Sequence, residues 1–141
     1  MLTIELVPRT SFYKNLRSEL PKELWDKLRK KTYRNANYKC ETCEGVGETH
    51  PVEAHEIWGY DDRNHIQKLK GFVALCPMCH KVKHMGLTII QGGFDEAELH
   101  LGTVNNWTRK QTIDYINEQF AIWKKRSQYV WDIDISWLNL K

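Results

Sequence analysis

Apolar residues recur with a period of two at the start of the chain, where Leu2, Ile4 and Leu6 lead to Pro8. That pattern predicts a short strand or an extended arm. From Pro21 the period changes. Leu24, Trp25 and Leu28 share one face of a helix whose other positions carry Lys22, Lys27, Arg29, Lys30 and Lys31. Residues 52–58 return to alternation, with Glu53, His55 and Ile57 on one side and Ala54, Glu56 and Trp58 on the other. Asp61 and Asp62 read as caps of a short helix through His65, Ile66 and Leu69, closed by Gly71. Phe72 to Leu75 forms a compact apolar strand, and residues 80–84 the first turns of a helix, with Gly86 as its end or a bend. Gly92-Gly93 predicts a loop. Ala97, Leu101, Val104 and Trp107 then follow helical spacing. Thr108 with Gln111 is a capping-box signature for a last helix, whose inner stripe is Ile113, Ile116, Phe120 and Trp123. Alternation at Trp131, Ile133, Ile135 and Trp137 predicts a closing strand.

The pattern is that of an α+β chain, and its 141 residues suit a single domain over 1–141. No apolar run reaches the roughly 18 residues of a membrane span, and no signal-peptide pattern opens the chain. The expectation is a cytoplasmic protein with no membrane partner. Its four cysteines are then thiolates in a reducing compartment. The net charge of +3 is unevenly placed. Residues 9–39 hold ten basic side chains (Arg9, Lys14, Arg17, Lys22, Lys27, Arg29, Lys30, Lys31, Arg34 and Lys39) against Glu19, Glu23 and Asp26. Such a segment suits a polyanion, with Lys27, Arg29, Lys30, Lys31 and Arg34 as the nucleic-acid contacts.

The cysteines sharpen this picture. Cys40 with Cys43 and Cys76 with Cys79 are two C-x2-C knuckles 32 residues apart. Each turns two sulfurs towards one point, so the four together predict a closed structural zinc site. The second knuckle runs on into His80 and His84, which are surplus to that tetrahedron and lie one helical turn apart. With His55 from the preceding strand they make a three-imidazole set with open coordination positions, as a working metal requires. His50 and His100 have no partner pattern. His65 with Asp61 and Asp62 reads either as helix caps and polar groups facing solvent or as extra groups folded over the metal. Trp58 and Tyr60 read as core packing or as platforms for bases.

The segments Val52-Glu53-Ala54-His55-Glu56-Ile57 and Phe72-Val73-Ala74-Leu75-Cys76-Pro77-Met78-Cys79-His80, with Lys83-His84, resemble the HNH endonuclease superfamily. His55-Glu56-Ile57-Trp58, Tyr60-Asp61-Asp62 and His65-Ile66-Gln67 further resemble small bacterial and phage proteins described as HNH endonucleases. The resemblance covers roughly residues 38–86. It implies a ββα-metal core, with a basic helical extension over 9–37 and a helical extension over 87–141. It also implies hydrolysis of DNA phosphodiester bonds, as endonuclease or nickase on double-stranded DNA. His55, His80 and His84 would hold a catalytic divalent metal (Mg²⁺, Mn²⁺, Ni²⁺ or Zn²⁺), and Cys40, Cys43, Cys76 and Cys79 a structural Zn²⁺. Two positions depart from the family. Glu56 stands where a histidine base is usual, and Gly71 where an asparagine is expected. Glu56 is therefore the candidate base; in an alternative register His55 is the base and Ala54 occupies a ligand position. The competing reading is a degenerate HNH-like zinc module that binds nucleic acid or a partner protein, and a third is a metal-binding regulator.

Overall fold

The computed structural model describes residues 1–11 and 16–140, so Lys14 of the basic segment lies outside the described residues. The architecture is mixed α+β. Helices α1 (Leu16–Glu19) and α2 (Lys22–Asn35) precede strands β1 (Glu53–Asp61) and β2 (Ile66–Leu75). Helices α3 (Pro77–Lys83), α4 (Met85–Ile90), α5 (Phe94–Asn105) and α6 (Arg109–Arg126) follow, then β3 (Asp132–Asp134) and a 3₁₀ turn over Ser136–Leu140. The sheet order is β1-β2-β3, antiparallel between the first two and parallel between the last two. Among the described residues no helix is long and apolar enough to cross a membrane.

The helix expected over 61–71 is replaced by a turn and the first half of β2. The Asp61 carboxylate accepts the backbone N–H groups of Arg63 and Asn64 at 3.1 and 3.0 Å, which reverses the chain instead of starting a helix. His65 completes the turn at a φ of +55°. Beyond it Gln67, Leu69 and Gly71 are buried while Lys68 and Lys70 are exposed, the alternation of a strand. The closing strand is likewise shorter than its pattern predicted: only Asp132–Asp134 pairs, and the chain then coils.

Gly71 has a local reason to be glycine. The β1–β2 register slips between Ile57, opposite Gly71, and Trp58, opposite Leu69, leaving Lys70 as the extra residue of a bulge. Gly71 takes a φ of +152° there, a conformation that side chains rarely adopt. A Cβ would meet Trp137 at an ordinary 3.7 Å, so the barrier to substitution is conformational, not steric. Gly71→Ala is expected to cost about 1–3 kcal/mol of stability, measurable as a lower urea midpoint.

The hairpin has two differently covered faces. Glu53, His55, Val73 and Leu75 face α3, as the Glu53–His80 bond and the His55–His80 ring contact show. Glu56 and its partner Phe72 face the other way, where Trp25 of α2 meets the Phe72 ring at 5.9 Å. In α2, Leu28 is the buried residue and Leu24 is 38% exposed, so the apolar stripe is narrower than expected.

Residues 1–8 form an arm, not a strand. Leu2 and Ile4 enter the core with Leu75, Val82, Met85, Ala97, Leu101 and Ile116. Side chains supply several of its backbone hydrogen bonds: Asn105 brackets Leu2 at 2.7 and 2.8 Å, Tyr115 accepts the Ile4 N–H, and Trp123 donates to the Val7 carbonyl, while the Glu5 N–H donates to the Lys83 carbonyl at 3.1 Å. The C-terminal helices pack on this core. Asn106, left-handed at φ +55°, ends α5 before Trp107. The expected capping box forms at Thr108 and Gln111 and starts α6, in which Ile116 and Thr112 are buried.

Candidate metal centres

The first knuckle is a tight turn in which Cys40 donates its N–H to the Gly45 carbonyl at 2.9 Å and Glu44 adopts a φ of +66°. Gly47 lets the loop close on the second knuckle, since a Cβ there would run into the His50 carbonyl and the Pro77 ring. Cys76 is the N-cap of α3, with Pro77 at the first helical position, and its sulfur accepts the Cys79 N–H. The four sulfurs lie within 4.8 Å of one another and none is in a disulfide. The Cys43–Cys76 separation of 3.6 Å far exceeds a disulfide bond of about 2.05 Å. It is close to the edge, about 3.8 Å, of a tetrahedron with metal–sulfur bonds of about 2.3 Å. Contact with the Cys79 thiol pulls the Cys40 thiol down to about 4, while the same contact and burial push Cys79 up. The cluster is compatible with a structural metal such as zinc.

Immediately beyond it lie the histidines. β1 carries His55, α3 carries His80, and His84 is the residue at which α3 stops and α4 begins. The break falls at His84 itself, before Gly86. One nitrogen from each ring lies within 4.8 Å of the others, and the Nε2 atoms of His80 and His84 are 3.1 Å apart. Burial, then the neighbouring His55 and His80, pulls His84 down to about 3. Burial also lowers His80, against the Glu53 hydrogen bond that raises it. At neutral pH these two rings are uncharged and offer lone pairs.

Two carboxylates orient the set. Glu53 binds the Nδ1 of His80 at 2.9 Å, which leaves Nε2 turned towards His84. Its other oxygen binds His50 at 2.8 Å. Glu5, from the N-terminal arm, holds the Nε2 of His55 at 2.9 Å and accepts the Trp58 N–H at 2.8 Å. The opposite nitrogen of His55, Nδ1, is buried without a hydrogen-bond partner among the described residues. A buried orphan of this kind is costly. Three imidazoles, two of them backed by carboxylates, and one unpaired buried nitrogen fit a divalent ion with open coordination positions. Glu5→Ala is expected to weaken metal uptake by these histidines about 10- to 100-fold, read by calorimetric titration.

The other predicted site residues do not join the trio. Glu56 lies on the opposite face of β1, its carboxyl raised by burial. Asp61 caps the hairpin turn, Asp62 pairs with Arg126, and His65 stacks on Tyr129 at 4.2 Å, all at the far end of the hairpin. Tyr60 packs edge-on against buried Trp131 at 5.5 Å, and Trp58 donates its backbone N–H to Glu5. Lys27, Lys30, Lys31 and Arg34 are exposed on α2 across the hairpin from the histidines, whereas Arg29 is held by Asp26 at 2.9 Å. Glu5 and His50 carried no signal in the sequence. Glu53 did carry one, because it is two residues from His55 on the same strand face. Comparison of the chain with protein-family models, with curated proteins and with solved structures finds no match.

Proposed function

We propose that this chain is a metal-dependent endonuclease of the HNH type, hydrolysing phosphodiester bonds of double-stranded DNA, with β1, β2 and α3 as a ββα-metal core. The observation that carries the reading is the convergence of His55, His80 and His84, whose ring nitrogens lie within 4.8 Å of one another. A divalent ion held there would supply Lewis-acid stabilisation of charge developing on the phosphodiester. Glu53 and Glu5 fix the rings of His80 and His55 through their outer nitrogens, and the cysteine cluster anchors the start of α3. Exposed Lys27, Lys30, Lys31 and Arg34 meet backbone phosphates other than the one cleaved, because α2 packs on the far side of the hairpin.

A second reading rests on Glu56. Turned away from the trio, it cannot take a proton from a nucleophile there, which favours a non-catalytic zinc module that binds nucleic acid. Incubation of supercoiled plasmid with the protein and Mg²⁺, Mn²⁺, Ni²⁺ or Zn²⁺ separates the two. The endonuclease yields open-circular or linear DNA with at least one of these ions. Intact plasmid in all four, together with a gel shift of duplex DNA, supports the binding module instead.

A further inference from the structure

Three of the four knuckle sulfurs are met by a main-chain N–H. Cys43 donates to Cys40, Gly45 to Cys43, and Cys79 to Cys76, each at 3.4 Å. Among the described residues the fourth sulfur, that of Cys79, has no such donor. By analogy with Gly45 it would come from the residue two positions on, Lys81. That residue is inside α3, where the helical pattern commits its N–H to the Pro77 carbonyl. In its place stands a side chain from a different element. His100 of α5 brings its Nε2 to 3.2 Å from the Cys79 sulfur.

Chemistry fixes the direction of that bond. A metal-bound cysteine is a thiolate with no proton to give, so the proton belongs to the imidazole and Nε2–H donates. Four thiolates around a divalent ion carry a net charge of −2, and Cys40, Cys76 and Cys79 are buried. Each N–H aimed at a sulfur offsets part of that charge and holds the sulfur in place. We propose that His100 is the hydrogen-bond donor to the fourth sulfur of a tetrathiolate zinc centre, a positioning residue that orients Cys79, slows metal loss and ties α5 to the knuckles. This role is independent of any nuclease activity.

The test uses the full chain loaded with ¹¹³Cd. The expected signature is a through-bond coupling between the cadmium and the His100 imidazole N–H, observed in the wild-type protein without any substitution. In the zinc-loaded protein, His100→Phe is expected to release metal to a chelator about 10-fold faster, with His100→Gln, which keeps an N–H, restoring most of the difference. With cobalt in the site, the sulfur-to-metal charge-transfer intensity of wild type and His100→Phe should match, because all four ligands remain. Absence of the coupling with equal release rates would overturn the proposal. So would a gain of sulfur character in His100→Phe, which would make His100 itself a ligand.

Discussion

Cys40→Ser is expected to abolish zinc binding at the four-cysteine cluster and to remove most of the protein's stability. Structural zinc binding carries on the order of 10–16 kcal/mol, and where no site exists in the unfolded chain this is folding free energy. A domain of this size has about 5–15 kcal/mol in total. Cys40 is 1% exposed and sits in the same cluster of buried residues as Leu75, Val82 and Leu101, so its site is continuous with the core. The loss of one ligand therefore reaches α3 and α5 together. The measurable outcome is less than one zinc per chain by elemental analysis and a Tm lower by about 10 °C or more. A variant that kept a full equivalent of zinc and its Tm would show that the cysteines hold no structural metal.

His80→Ala separates chemistry from folding. The His80 side chain is 22% exposed and lies outside the apolar core, so its removal should leave the Tm within a few degrees of wild type. It deletes one of the three proposed ligands, however, and leaves Glu53 without its His80 partner. Plasmid nicking is expected to fall about 10³-fold or more, the scale of losing electrostatic stabilisation at a reacting phosphate. Glu53→Gln keeps an acceptor for the His80 N–H while removing its charge, and should fall between the two. Nicking by His80→Ala at the wild-type rate would mean that the reaction takes place elsewhere on the molecule.

How much of this was legible in the sequence depended on the distance over which each signal acts. The cysteine knuckles and the His80–His84 pair are local, set by C-x2-C and i, i+4 spacing, and the structure brings them together as read. His55 was legible through strand alternation, which also put Glu53 beside it. Glu5 was not, because an arm residue reaches a histidine 50 positions away only through tertiary packing of Leu2 and Ile4. The turn at Asp61 was misread because an aspartate before a short polar run caps a helix or a reversal equally well. The alternation of Gln67 and Leu69 with Lys68 and Lys70 was the discriminating signal. Gly71 looked like a lost functional residue, and the bulge opposite Ile57 gives it a backbone role instead. The basic helix was recognisable as a helix. Its place across the hairpin from the histidines follows from Trp25 meeting Phe72, a contact that spacing does not encode.

We propose two metal centres of different chemistry on one chain, sulfur for structure and imidazole for work. Titration of the zinc-loaded protein with Co²⁺, followed by absorption, tests it most directly. The prediction is one further equivalent of metal, with ligand-field bands but no sulfur charge transfer, lost in His84→Ala while the zinc content stays constant. No uptake beyond the structural zinc, or equal uptake by His84→Ala, would contradict it.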